Sequence, residues 1–313
     1  MDTEGQSGQS QQSHSPAPTL GQWAHRTLRK QLKELKKHRS AVVAHRDPEA
    51  LHQMRVRLRR LRAVCSLFAP AIELPECDRK LQQLGKRLGR VRDTDVMIQR
   101  LRQLGQDFSL TPEETHRLRR LKQRLKKQGH RRLKKLRKVL KGSSHRRLMQ
   151  GLETWLEAPC YRPPARLPMT EAVPDLLLPS LGQLLLHPAW FLEPATAPAA
   201  TLHDLRKAIK QMRYQMACFR QVCGPDYGQL LQTWAELQDL LGELQDIDVL
   251  QAYFQRQLGE GWAQLLPTIH HQLRRQRRQL EARWQRRRLH HLRPDHRRQL
   301  RQLLVGGLEP GGS

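Results

Sequence analysis

Acidic residues, aromatic rings and patterned cysteines are all scarce in this chain, and each shortage narrows the function. Asp and Glu number 29 against 57 Lys and Arg, for a formal charge of +28 over 313 residues. Such an imbalance points to a polyanionic partner (nucleic acid, polyphosphate or an acidic membrane surface) and says nothing of fold. Phe, Trp and Tyr together make up 5%, few for a protein that holds single strands by stacking their bases. The five cysteines are an odd count with no C-x-x-C spacing. They read as small buried thiols in a reducing compartment. No apolar run reaches the roughly 18 residues of a membrane span. The best attempt, Leu176 to Leu192, is broken by Pro179, Gly182 and Pro188. The N-terminus lacks a basic-then-apolar pattern, so no signal peptide is expected and a soluble cytoplasmic protein is. Zinc-finger spacing, an RNA-recognition signature, a helix-turn-helix and a Gly-rich phosphate loop are also missing.

What is present is a stretch that occurs twice. Leu51 to Phe68 reads LHQMRVRLRRLRAVCSLF, and Leu202 to Phe219 reads LHDLRKAIKQMRYQMACF. The offset is 151 residues without a gap (202 − 51 = 151). At about 100° per residue each copy forms two stripes. Leu51, Met54, Leu58, Leu61, Cys65 and Phe68 make one apolar stripe, and Leu202, Leu205, Ile209, Met212, Met216 and Phe219 its match. That spacing is a helix burying one side. Roughly 110° around the wheel lies a basic row. It holds His52, Arg55, Arg59 and Arg62 in the first copy, and His203, Arg206, Lys210 and Arg213 in the second.

Like charges at i, i+3 and i+4 repel by a few tenths of a kcal/mol. A helix that only had to stay soluble would mix acids into the row, and neither row contains one. The economical reading is an anion held against both rows. The competing reading is a solvated basic face. A second repeat pairs Leu84 to Leu101 with Leu237 to Phe254, matching Gly89 with Gly242, Asp93 with Asp246, Asp95 with Asp248 and Val96 with Val249. Two carboxylates at i and i+2 point to different sides of a helix and are too few for a divalent cation. They read as partners of neighbouring arginines, orienting the basic rows.

The pattern H-x-x-R-(x)3-R/K-x-x-R, followed in the second copy by Tyr214, resembles the conserved-histidine α-helical domain, CHAD. The D-x-D-V after a Gly-bearing helix resembles that family's second signature. The resemblance covers about Leu20 to Leu304 and departs at Lys210-Gln211, opposite Arg59-Arg60, and at Gln245, opposite Arg92. It implies that the two rows face one central channel. It also implies binding of inorganic polyphosphate by the matched residues: His52, Arg55, Arg59, Arg62, His203, Arg206, Lys210 and Arg213. The acidic E-x-E-x-K strand signature of the triphosphate-tunnel domain, often joined to CHAD domains, is absent.

The expected architecture is all-α, two pseudo-symmetric four-helix bundles built from the repeat. Residues 1–19 are Gln, Ser and Gly-rich and read as a disordered tail. The helical domain spans 20–304, with a first half at 20–158, a second at 201–304 and a Pro-rich linker at 159–200 holding one short helix, Leu176 to Leu186. Helices are expected over 20–45, from Pro48 to near Pro70, and over 76–104, 112–141, 145–156, 202–222, 226–258, 262–290 and 294–304. Residues 305–313 read as a flexible tail. No catalytic residue, metal or cofactor is expected, because the candidate histidines and aspartates sit among arginines that repel a divalent cation. The alternative class is a nonspecific nucleic-acid-binding basic helical protein. Membrane association is not expected, and placement on polyphosphate granules is.

Overall fold

The computed structural model describes residues 18–44, 48–75, 77–193 and 197–306. The expected tails lie outside the described residues as far as 17 and from 307 on. Thr19, Val305 and Gly306 belong to the helical body. The fold is all-α. Among the described residues the only β-type pairings are two isolated bridges, Thr19 with Pro168 and Ile72 with Tyr161.

The first half runs α1 (Leu20–Lys37), α2 (Arg39–Ala44), α3 (Pro48–Phe68), α4 (Asp78–Asp107), α5 (Pro112–Lys141) and α6 (Ser143–Glu157). Its helix starts follow local chemistry. Thr19 and Gln22 form a capping box on α1, and Thr111 and Glu114 form another on α5. Each box satisfies two backbone N–H groups that a helix start leaves open. Glu113 and Glu114 in the first turn of α5, with Lys138 and Lys141 in the last, complement its dipole. The second carboxylate oxygen of buried Glu114 accepts from Thr268 N–H at 2.9 Å. One side chain thus caps helices from both halves.

The second half runs α7 (Met169–Leu185), α8 (Ala199–Met216), α9 (Pro225–Leu258), α10 (Trp262–Leu265), α11 (Pro267–Leu292) and α12 (Pro294–Gly306). Gly259, at φ 85°, ends α9 in a conformation that a Cβ disfavours. The expected helix over 262–290 is split, because Leu266 precedes Pro267 and is driven out of the helical region, to φ −137° and ψ 59°.

The proline-rich segment differs most from expectation. Its helix extends back to Met169 and runs through Pro174 and Pro179. Internal prolines cost about 3 kcal/mol each. Val173, Leu177, Leu181, Leu184 and Leu185 are all buried, and each buried apolar side chain contributes roughly 1.5–3 kcal/mol. Burial therefore outweighs the breaks. At an offset of 149 the buried stripe of α1 (Leu20, Ala24, Leu28, Leu32, Leu35) falls on Met169, Val173, Leu177, Leu181 and Leu184. The two helices also pack alike: α1 lies on α3 and α6, and α7 on α8 and α12.

The halves meet through matched positions. Leu20 N–H donates to Leu167 C=O at 2.9 Å, and Met169 N–H to Pro18 C=O at 3.0 Å. The rings of Phe68 and Phe219, 151 residues apart, meet edge-to-face at 5.9 Å. The buried apolar residues of both halves form one continuous core, so the bundles are fused.

Candidate anion-binding cleft

The apolar stripes of α3 and α8 are buried as the spacing predicts, save Cys65, which is half-buried. That burial turns the flanking rows into a cleft of about 580 Å³, which α4 and α9 flank. His52, Arg55 and Arg59 enter from α3, and His203, Arg206 and Lys210 from α8. Six of the eight expected residues are thus brought together. The other two, Arg62 and Arg213, do not line it. A helix turns about 1000° over ten residues, so the last member of each row sits roughly 80° away from the first. Arg62 instead pairs with Asp78 through two nitrogens, at 3.0 and 3.4 Å. Arg213 donates to Gln238 Oε1 at 2.9 Å.

The second repeated motif supplies the walls. Gly89 on α4 and Gly242 on α9 are where the arginines cross: a Cβ on Gly89 would stand 3.7 Å from the Arg55 guanidinium, and one on Gly242 3.1 Å from that of Arg206. A side chain at Gly242 would push Arg206 aside, whereas one at Gly89 would meet Arg55 at ordinary contact distance. The aspartates pair with arginines, as the sequence suggests. Asp93 lies 3.3 Å from Arg55, Asp246 lies 3.9 Å from Arg100, and Asp248 pairs with Arg277. Where the second half has Gln245 opposite Arg92, the amide oxygen accepts from Arg206 at 3.3 Å. Among the described residues no three His, Cys, Asp or Glu converge as a metal ion requires.

Arg100 also lines the cleft and was not singled out from the sequence. Its signal is the i, i+4, i+7 face of Asp93, Met97 and Arg100. The repeat masks it, because its counterpart at offset 153 is Tyr253.

The cations crowd one another. Lys210 is pushed down to about 7, first by burial and then by Arg59, Arg206, Arg55 and Arg213. Burial likewise lowers Arg59, helped by Arg55 and Arg206. His52 is lowered by burial and then by Arg92. Burial raises Asp246, against the pull of Arg100 and Arg206. Arg59 Nε, Arg100 Nε and His203 Nδ1 are buried with no hydrogen-bond partner within the protein. Buried polar atoms normally find one, and leaving a donor open costs about 1–3 kcal/mol. A pocket of unanswered donors and mutually repelling cations suits an anion.

This arrangement is an all-α domain with a basic cleft between two of its helices, and the comparisons give its family. A family model, the CHAD domain, matches residues 26–255. The chain belongs to the CHAD domain family, known to bind polyphosphate. Among solved structures it is similar to the CHAD domain from the plant Ricinus communis. Identity is 23% and the TM-score 0.58, over 94% of this chain and 98% of that one. It is also similar to PptA from Streptomyces chartreusis, at 19% identity and a TM-score of 0.64, over 87% and 99% of the two chains. Both likenesses speak to the fold alone. No curated protein matches the chain.

Proposed function

We propose that this protein binds inorganic polyphosphate in the cleft between α3 and α8 and is a binding module rather than an enzyme. The observation that carries the reading is the convergence of His52, Arg55, Arg59, His203, Arg206 and Lys210 on one cleft. Polyphosphate carries about one charge per internal phosphate, so a basic cleft gains by neutralising it and releasing counterions. The arginine forks suit phosphate oxygens, and Lys210 adds a compact charge. A bound polyanion raises the pKa of Lys210 and of His52, adding charge where it is needed. The aspartates engaged by Arg55 and Arg100 hold those arginines in place. Arg62 and Arg213 serve the fold at the ends of the rows.

The competing ligand is nucleic acid, and a specific feature favours it: the basic face of α5. Arg124, Lys126, Lys127, Arg131, Lys134 and Lys135 are exposed there. Such a face binds polyanions by bulk charge, with steep salt dependence. The test is competition at physiological salt, with labelled long-chain polyphosphate challenged by RNA, duplex DNA and short phosphates. One variant carries Arg55, Arg59, Arg206 and Lys210 changed to Gln. A control carries Arg124, Lys126, Lys127 and Arg131 changed to Gln. Polyphosphate is expected to win in the wild type, with loss of about a hundredfold or more in the cleft variant alone. Equal competition by nucleic acid, with both variants weakened alike, would leave only bulk electrostatics.

The proposed location is the polyphosphate granule of the cytoplasm. The tagged protein should coincide with granule staining, and a diffuse signal in polymer-rich cells would count against it.

A further inference from the structure

A second basic cleft, of about 500 Å³, lies between α1, α3 and the C-terminal end of α8. Trp23, Arg26, Lys30, Arg57, Arg60 and Tyr214 line it, and no carboxylate does. It differs from the first cleft in kind. No Phe, Trp or Tyr lines the first one, in a chain that has few to place.

Each ring here carries a cation against it. The Trp23 indole N–H donates to the Cys218 carbonyl at 3.1 Å. The Arg26 guanidinium lies 5.6 Å from the Trp23 ring centroid. Across the cleft the Arg60 guanidinium lies 5.7 Å from the Tyr214 ring, and Lys210 approaches the same ring at 6.0 Å from the side of the first cleft. Cation and ring thus form a pair at each wall. The donors are not used up. Arg57 Nε and Arg60 Nε are buried with no partner within the protein, as is the acceptor Gln31 Oε1. Glu34 reaches Arg57 only at 3.7 Å and is shared with Lys37.

The repeat does not account for this cleft. At offset 151, Arg57 and Arg60 become Ala208 and Gln211. At offset 149, Trp23, Arg26 and Lys30 become Ala172, Asp175 and Pro179. The repeat therefore asks for neither the rings nor the charges, although Trp23 also packs against the core.

We propose that this cleft binds a mononucleotide bearing several phosphates, with its base against Trp23 and Tyr214 and its phosphates on Arg57, Arg60 and Lys30. The size fits, since pockets for small ligands run from about 300 to 1,000 Å³. The chemistry separates this ligand from polyphosphate, which has no ring to stack.

The test titrates the full chain with ATP at physiological salt, followed by calorimetry and tryptophan fluorescence. Tripolyphosphate is the ring-free control, and a short RNA oligomer the strand control. ATP is expected to saturate one site and quench Trp23. Trp23→Leu and, separately, the pair Arg57→Gln with Arg60→Gln should each weaken ATP by about tenfold or more. Both should hold long-chain polyphosphate within about twofold of wild type, which also reports that they fold. If Trp23→Leu fails to fold, the arginine pair carries the test alone. Arg55→Gln with Arg206→Gln should do the reverse, losing polyphosphate and keeping ATP. The two readings therefore fail separately. The proposal is overturned if ATP does not saturate at millimolar concentration, if tripolyphosphate competes as well as ATP at this cleft, or if only the Arg55 and Arg206 variant loses ATP. RNA bound through the same residues and far more tightly than ATP would also overturn it, in favour of a nucleic-acid strand.

Discussion

Two pairs of helices repeat in this molecule, and they repeat different things. Helices α3 and α8 match in both faces, the buried stripe and the basic row. Helices α1 and α7 match only in the buried stripe. The outward positions of α1 include Arg26, Lys30, Lys33, Lys36 and Lys37, whereas α7 contains no lysine or arginine. Packing demands that a buried stripe recur wherever the same contact recurs. It makes no demand on the face that points away. A polar face kept through a repeat therefore marks something both halves do together, and here it is the cleft between α3 and α8. A polar face present on one side only marks something local, and here it is the second cleft beside α1.

The comparison can be broken at its strongest contact. Phe68 ends α3 and Phe219 lies just beyond α8, and the two pack against each other, each fully buried. Phe68→Ala and Phe219→Ala should each cost about 3–5 kcal/mol of stability. The double variant should cost less than the sum, by about 0.5–1.5 kcal/mol, because the ring pair is lost only once. Denaturant unfolding checks this, and full additivity would mean that the halves are not coupled there.

The next test is pH. Free Lys210 titrates at about 7, whereas a bound polyanion returns it toward the ordinary lysine range. The complex thus binds more protons than the free protein above pH 7. Polyphosphate affinity should fall as pH rises from 7 to 9, by at most about tenfold per unit from this one group. Lys210→Arg should flatten that limb. Stability of the free protein should move the other way. The unfolded chain holds a proton on Lys210 that the folded one releases above about pH 7, so the cost of burying that charge fades as pH rises toward 10.5. Binding isotherms across pH and denaturant midpoints without ligand separate the two effects.

A finer comparison sets the two glycines against each other. Gly89→Ala meets Arg55 at ordinary contact distance, 3.7 Å, and should gain up to about 1 kcal/mol from helix propensity with little change in binding. Gly242→Ala meets Arg206 at 3.1 Å, so the guanidinium must shift. It should weaken polyphosphate binding by a few-fold. Equal effects at both positions would show that the halves hold their arginines equally loosely.

The smallest effect belongs to Arg62. Its bond to Asp78 is solvent-exposed, and such pairs contribute about 0–1 kcal/mol. Arg62→Gln should change stability by less than that and polyphosphate affinity by less than about twofold. A loss comparable to that of Arg59→Gln would put Arg62 back in the binding set.

Most of the fold was legible because the buried stripes are written at helical spacing. Leu51 to Phe68 read as a helix without any structure, and so did 202–222, of which α8 keeps only the part up to Met216. The helix starts expected at 20 and 112 fall where Thr19 and Thr111 form capping boxes. The proline-rich segment was legible only in part. Prolines are read as local breaks, and the burial that carries α7 through Pro174 and Pro179 comes from residues distant in sequence. The split at Leu266 was written in the following Pro267 and went unread because the leucine spacing continues past it.

The site divides the same way. The repeated row named His52, Arg55, Arg59, His203, Arg206 and Lys210, because period and charge are properties of one helix. Whether each row faces its partner depends on how two helices cross. The drift along each helix turned Arg62 and Arg213 out of the row, and packing gave them Asp78 and Gln238 as partners and brought in Arg100, whose repeat counterpart is Tyr253. By itself the sequence determined the helices, the repeat and the excess of positive charge, since these follow from local periodicity and composition. Tertiary structure alone decided that the two rows share one cleft, that Gly89 and Gly242 lie beneath their arginines, and that Trp23 and Tyr214 line another. Those facts join residues from 34 to 191 positions apart (Arg55 with Gly89, Trp23 with Tyr214), and only the burial of a common core brings such residues together.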